Sequence, residues 1–326
     1  MSNEGQFLAA LRRLATHPAA RGLADDAAVL DLGGEPLILT CDMLVEGVHF
    51  LADDPPGDVA WKLLAVNLSD LAAKGARPVG VLMGYSLRGD PAWDEAFVAG
   101  LGSALEAFGL PLLGGDTVSV SPCAPRTLAL TALGTTAGPV PSRAGARPGD
   151  QLWVTGTIGD AGAGLRILTG ALEGPVELVE RYRVPLPRLA AGERLAPLVH
   201  AMMDVSDGLL IDAQRMAEAS AAALTIELTQ IPLSEALLAA SGDDRRARLA
   251  AASAGDDYEL LFAAPPELSP TLLALSEELR LAFTRIGAFS AGAGLSLTDQ
   301  GVPLPLPGRL GWEHGLSSVE STPGPP

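Results

Sequence analysis

Ala65-Val66-Asn67-Leu68-Ser69-Asp70-Leu71-Ala72-Ala73-Lys74-Gly75-Ala76-Arg77-Pro78 decides how the rest of the chain is read. Ala60, Leu63, Leu64, Leu68 and Leu71 recur at three- and four-residue steps, which predicts a helix from near Asp58 to Ala73 with one apolar face. Gly75 and Pro78 end it. Asp70 then falls in the last turn, where free carbonyls carry partial negative charge and disfavour a carboxylate. A positive partner is required. It is either Lys74, one turn on in the favourable acid-before-base order, or a metal ion shared with other acids.

At 326 residues the chain exceeds one ordinary core, so two domains are expected. Hydrophobic residues make up 48% and mean hydropathy is +0.28, ample for burial, while 37 Gly and 26 Pro favour many tight turns. No run of eighteen apolar residues occurs, and Met1-Ser2-Asn3-Glu4-Gly5 has none of the regions of a signal peptide, so a cytoplasmic protein is expected. Cys41 and Cys123 form no metal-ligand spacing. With 39 acids against 22 bases the formal charge is −17, which opposes nucleic acid and anionic membranes as partners. Small phosphorylated ligands that arrive with cations remain compatible with it.

Outward from the opening stretch, Phe7, Leu8, Leu11 and Leu14 predict an N-terminal packing helix. Asp25-Asp26 leads into a strand at Ala27–Leu30, and Pro36–Thr40 is a strand expected to deliver Asp42 into a cleft, with Thr40 as a second oxygen beside it. A strand over Val79–Leu87 and a helix over Trp93–Phe108 follow. Leu110–Thr117 reads as a short strand ending in Gly114-Gly115-Asp116, either a plain turn or a place where backbone N–H groups approach phosphate oxygens. After a strand at Leu128–Gly134, Pro139–Pro148 is the expected linker, dividing the chain into domains 1–137 and 138–326. In the second half, Gln151–Leu165 reads as strand, glycine-rich turn and helix, yet it lacks Gly-Lys-Ser/Thr, and Ile167 breaks the dinucleotide fingerprint, so packing explains its glycines. Met202–Asp212 is a strand end entering a helix, in which Ser206 or Asp207 could serve as N-cap. Gly255-Asp256-Asp257 precedes a strand, and the tail from about Ser317 is expected to be disordered.

Asp26, Asp42, Asp70, Asp116, Asp204 and Asp207 thus each fall at a predicted element end beside small or hydroxyl residues. Carboxylates and hydroxyls without clustered His or Cys favour hard divalent ions, Mg²⁺ above all, which bridge to phosphates. Several such acids on separate elements suit a cluster of ions holding a polyphosphate.

Asp25-Asp26-Ala27, Thr40 to Phe50, Ala65 to Ala73, Gly114-Gly115-Asp116-Thr117, Val154 to Thr157, Asp204-Val205-Ser206-Asp207-Gly208-Leu209 and Asp257-Tyr258-Glu259-Leu260 together resemble the thiamine-monophosphate kinase family. The resemblance runs in order from about Asp25 to Trp312. It implies an α/β (α+β), two-domain fold like that of aminoimidazole ribonucleotide synthetase, with N-terminal sheets pairing into a barrel across a homodimer. It assigns ATP and Mg²⁺ binding and dimerisation to the N-terminal domain, and the reaction of ATP with thiamine monophosphate to give ADP and thiamine diphosphate. Carried over by position, Asp26, Thr40, Cys41, Asp42, Asp70, Asp116, Asp204 and Asp207 match metal positions. Gly115, Asp116, Arg143 and Ser206 match ATP contacts, and His49, Asp256 and Trp312 match substrate contacts.

The chain departs from that pattern at Ala24 and Ala254, where glycine is usual, at Cys41 for Thr, at Val118 for a second Thr, and at Asp256 for Glu. No covalent nucleophile or base is expected, because a phosphate monoester is largely dianionic at neutral pH, its second pKa being about 6. The alternatives are a ring-closing ribonucleotide synthetase of the same superfamily and a non-catalytic Mg-nucleotide binding protein.

Overall fold

The computed structural model describes residues 11–313. Phe7 and Leu8 of the predicted N-terminal helix, and the tail from Ser317, lie outside the described residues. The first half contains β1 (Ala28–Leu30), β2 (Leu37–Val45), α1 (Pro56–Ala73), β3 (Arg77–Leu87), α2 (Pro91–Phe108), β4 (Leu112–Ser119) and β5 (Thr127–Thr135). Its five strands form one sheet in the order β1-β2-β5-β3-β4. The second half contains β6 (Gln151–Thr155), α3 (Asp160–Leu168), α4 (Val176–Arg183), α5 (Leu189–Leu195), β7 (Ala201–Val205), α6 (Leu209–Ala219), β8 (Ala223–Glu227), α7 (Glu235–Ser241), α8 (Arg245–Ala252), β9 (Glu259–Ala264), α9 (Ser269–Leu279), β10 (Phe283–Ser290), β11 (Gly294–Asp299) and β12 (Val302–Leu304). A seven-stranded sheet, β12-β11-β8-β10-β6-β9-β7, runs through it.

Helix α1 is the piece that positions the site. It begins at Pro56, two residues before the expected start, because proline is pre-set for a first helical turn. Leu63, Leu64 and Leu68 pack with Phe97, Leu128 and Leu130 in the first core, while Ala72 and Ala73 pack with Met202, Leu260 and Phe262 of the second sheet. The helix is therefore enclosed between the two halves, and its apolar surface is wider than the single stripe of a surface helix. Lys62, Asn67, Ser69 and Lys74 are buried along with it. Each must find a polar partner inside the protein.

Two strands run further than the sequence predicts. β2 continues to Val45, held by unbroken pairing with β5 from Leu37↔Thr135 to Val45↔Thr127, so Asp42 lies in mid-strand and not at an exit. β4 extends to Ser119 in parallel pairing with β3, which places Gly115 and Asp116 inside the strand. A Cβ on Gly115 would lie 2.0 Å from the Met83 carbonyl oxygen, so close strand packing accounts for that glycine. In the glycine-rich turn, Gly159 has a φ of +90°, and a Cβ on Gly164 would lie 2.1 Å from the Leu178 carbonyl oxygen, where α3 meets α4. These glycines serve packing. No helix among the described residues is long and apolar enough to cross a membrane.

Candidate functional site

The Asn-Leu-Ser-Asp stretch of α1 is a junction between two strands, β2 of the first sheet and β7 of the second. Pairing with β1 ends at Leu39, leaving the Asp42 N–H free on that side, and Asn67 Oδ1 accepts it at 2.9 Å. Asn67 Nδ2 donates back to the Leu63 carbonyl at 2.9 Å. Ser69 Oγ donates to Asp204 Oδ2 of β7 at 2.6 Å. Thr40 Oγ1 of β2 donates to Asp70 Oδ2 and lies 3.3 Å from the Asp26 carbonyl oxygen. Consecutive helix positions thereby bring acids from both sheets to one place.

Carboxylate oxygens of Asp26, Asp70 and Asp204 all lie within 4.8 Å of one another. Burial and the neighbouring carboxylates of Asp42, Asp204 and Asp26 push Asp70 well above the usual range, although the Thr40 hydroxyl opposes this. Burial and Asp26 likewise raise Asp204 to about 8 against the Ser69 hydrogen bond, and burial with Asp207 and Asp26 raises Asp42 to about 6. Such crowding is costly unless a cation shares it. The donor set is oxygen only, which fits a hard divalent ion.

Lys74 does not serve Asp70. Its fully buried ammonium lies 2.6 Å from Asp25 Oδ1 and 2.6 Å from Asp26 Oδ2, the latter off the direction of a hydrogen bond. Arg21 also donates to Asp25, and the Arg143 guanidinium pairs with Asp26 Oδ1. Burial alone raises Asp25, but Lys74 and then Arg21 overcome it and bring the carboxyl down to about 2. Asp26 thus has cations on one side and two acids on the other.

A second group forms beside the first. Neither Ser206 nor Asp207 caps α6. The buried Asp212 carboxylate accepts the N–H groups of Ser206, Asp207 and Gly208 at 3.1, 3.1 and 3.2 Å, shaping the loop from within. Arg215 pairs with both Asp207 and Asp212. The Ser206 carbonyl accepts Asp256 N–H, and the Asp207 carbonyl accepts Trp312 N–H, each at 2.8 Å. The Arg309 guanidinium stands 5.1 Å from the Trp312 ring centroid. His49 Nδ1 accepts the Val45 N–H at 3.1 Å, and its carbonyl shares Lys62 with Asp256.

The structure therefore brings Asp26, Thr40, Asp42, Asp70, Asp204 and Arg143 into one cluster, with Ser206, Asp207, His49, Asp256 and Trp312 around it. Cys41 and Asp116 stand apart. Alternation along β2 turns the exposed Cys41 thiol away from Thr40 and Asp42, leaving its backbone carbonyl as the group nearest them. The register aligns Met43, Ala129, Gly84 and Asp116 across the sheet, so Asp116 shares Cys41's face and lies three strand spacings away, about 14 Å. Asn67, Ser69, Asp212 and Lys62 are functional-site residues whose roles the sequence motifs do not mark. The available signal was a polar residue at a position whose periodicity demands burial.

A two-sheet α/β fold with an acid cluster gathered at one helix between the sheets defines the class. Residues 24–136 match the family described as AIR synthase related protein, N-terminal domain, and residues 147–300 match its C-terminal domain. The chain belongs to that family. Within it the chain falls among the thiamine-monophosphate kinases. The protein of that name from Caulobacter vibrioides is 40% identical over 306 residues, covering 91% of this chain and 86% of the relative. The one from Salmonella typhimurium is 37% identical over 302 residues, covering 90% and 91%. Among solved structures, AaThiL complexed with AMPPCP and TMP superposes with a TM-score of 0.83 at 29% identity, covering 96% of this chain and 97% of that one. Thiamine-monophosphate kinase from Stenotrophomonas maltophilia K279a gives 0.75 at 38% identity, covering 92% and 96%.

Proposed function

We propose that this chain transfers the γ-phosphoryl group of ATP to thiamine monophosphate, giving ADP and thiamine diphosphate by direct in-line displacement. The observation that carries the reading is the convergence of Asp26, Asp70 and Asp204 in a member of a family whose AaThiL relative is complexed with AMPPCP and TMP. The obstacle to the reaction is electrostatic, since a dianionic acceptor must approach a triphosphate within an acidic protein. Several Mg²⁺ ions held by Asp26, Asp70 and Asp204, with Thr40, Asp42, Asp207 and the Cys41 carbonyl as further donors, would supply the charge neutralisation that this approach needs.

The chain's own residues position the reactants. Arg143 and Ser206 serve ATP, while His49, Asp256 and Trp312 serve thiamine monophosphate. The dianionic acceptor oxygen needs no base, so rate comes from holding it in line. The exposed apolar residues Met43, Leu82, Leu113 and Val118 on the first sheet support a homodimer in which two such sheets pair into a barrel. Sedimentation of the pure protein at micromolar concentration tests this, with a monomer overturning it.

The decisive experiment is to incubate pure protein with MgATP and thiamine monophosphate and to separate the products by chromatography. Thiamine diphosphate and ADP should appear in equal amounts, and EDTA should abolish both. ADP without thiamine diphosphate would mean that the phosphoryl group passes to water and would overturn the kinase reading, and neither product would leave nucleotide binding alone.

A further inference from the structure

Lys62 lies about two helical turns before Asp70 on α1, with only 2% of its side chain exposed. Its ammonium donates to the His49 carbonyl at 3.0 Å and to Asp256 Oδ2 at 2.9 Å, and it stands 3.9 Å from the centroid of the Tyr182 ring. Those three partners come from the turn after β2, the loop before β9, and α4. Two are electrostatic acceptors and the third is an aromatic face, so each direction of the charge is occupied.

The groups that Lys62 holds are themselves constrained. Asp256 and Tyr258 have φ of +70° and +51°, conformations that cost a non-glycine residue on the order of 1 kcal/mol or more. Their N–H groups are tied to the Ser206 and Val205 carbonyls, each at 2.8 Å. The Tyr258 hydroxyl donates to Asp256 Oδ1 at 3.0 Å, and its ring packs in the core of the other half. Asp256 has one oxygen on Tyr258 and the other on Lys62, so its direction is fixed. A buried lysine chosen only to brace two halves would not need to meet the two residues placed at the acceptor substrate.

We propose that Lys62 is a positioning residue for the acceptor site, setting the separation of His49 and Asp256 and the direction of the Asp256 carboxylate, without touching ATP or metal. This rests on the kinase reading above. It also accounts for the aspartate at 256, whose short side chain reaches Lys62 and Tyr258 together.

The test compares the intact protein with Lys62→Met, Asp256→Asn and the double variant, measuring KM for thiamine monophosphate, KM for MgATP and kcat separately. Lys62→Met should raise KM for thiamine monophosphate about tenfold or more, while KM for MgATP changes by less than about twofold. In the Asp256→Asn background the added effect of Lys62→Met should shrink to what its contact with the His49 carbonyl contributes, because the ion pair has already been broken. Should Lys62→Met not fold, as judged by its melting curve, Lys62→Arg, which keeps the charge and displaces it from His49 and Asp256, must show the same split between the two KM values. Equal rises in both KM values, unchanged kinetics in a less stable protein, or full additivity in the double variant would each overturn the assignment. Absence of thiamine diphosphate with the unsubstituted protein would instead overturn the kinase reading, and the assignment with it.

Discussion

Ser69 Oγ and Asp204 Oδ2 are 2.6 Å apart, one on the helix of the first half and the other on a strand of the second. Both side chains are buried, so this bond is made without competition from water. It fixes one oxygen of Asp204 and leaves the carboxylate facing Asp26 and Asp70.

Ser69→Ala should therefore weaken metal use before it affects anything else. The Asp204 carboxylate would be left with one fewer donor, at a cost of about 1–3 kcal/mol. The Mg²⁺ concentration for half-maximal activity should rise roughly tenfold, while saturating Mg²⁺ restores most turnover. A titration of activity against free Mg²⁺ reads this directly.

Asp70→Asn separates stability from function. Asparagine keeps an oxygen to accept the Thr40 hydroxyl and removes one of the crowded charges. Turnover should fall on the order of a hundredfold or more. Stability of the Mg²⁺-free protein should rise by roughly 1 kcal/mol or more, because buried repulsion is relieved. Melting curves with EDTA and with Mg²⁺ should show a higher baseline and a smaller gain from metal than in the parent.

The same acids set the pH dependence of the metal-free protein. Asp42, Asp212 and Asp204 are raised to about 6, 7 and 8, chiefly by burial in each case. A folded-state value above the unfolded value of about 3.9 means that the folded state holds the extra proton. That contribution is fully present below pH 3.9 and is lost as pH rises through 6 to 8. Asp25, lowered to about 2, acts oppositely, contributing fully above pH 3.9 and being lost as pH falls through 2. In EDTA, the urea midpoint should decline from pH 5.5 to pH 8.5, and saturating Mg²⁺ should flatten this decline. Calorimetry at pH 7 in buffers of different ionisation enthalpy should detect protons released on Mg²⁺ binding.

Much of this arrangement is legible in the sequence, within limits that have physical causes. The period of Ala60, Leu63, Leu64, Leu68 and Leu71 marks a helix, and the acid-hydroxyl blocks mark Asp26, Asp70 and Asp204 as candidates to converge. The extent of β2 is not legible, because its continuation past Thr40 depends on pairing with β5 some ninety residues away. The roles of Asn67 and Ser69 are hidden for a similar reason. Their partners lie on strands that only the fold brings near, and local pattern carries no sign of Asp42 N–H or Asp204. The outward turn of Cys41 and Asp116 follows from register, which a motif read as a string does not convey.

Lys74 provides the sharpest test of that difference. If its partner were Asp70 on a solvated helix, replacement would cost a few tenths of a kcal/mol. In the structure it is fully buried between Asp25 and Asp26, whose side chains are 2% exposed, and the Met202 carbonyl lies 3.4 Å away. Removing one member of a buried pair leaves an uncompensated charge and costs about 3–5 kcal/mol. Lys74→Met should accordingly show a large fall in urea midpoint at pH 7, and adding Asp25→Asn should recover part of it by removing the charge left behind. A loss below about 1 kcal/mol would return Lys74 to the helix surface and to Asp70.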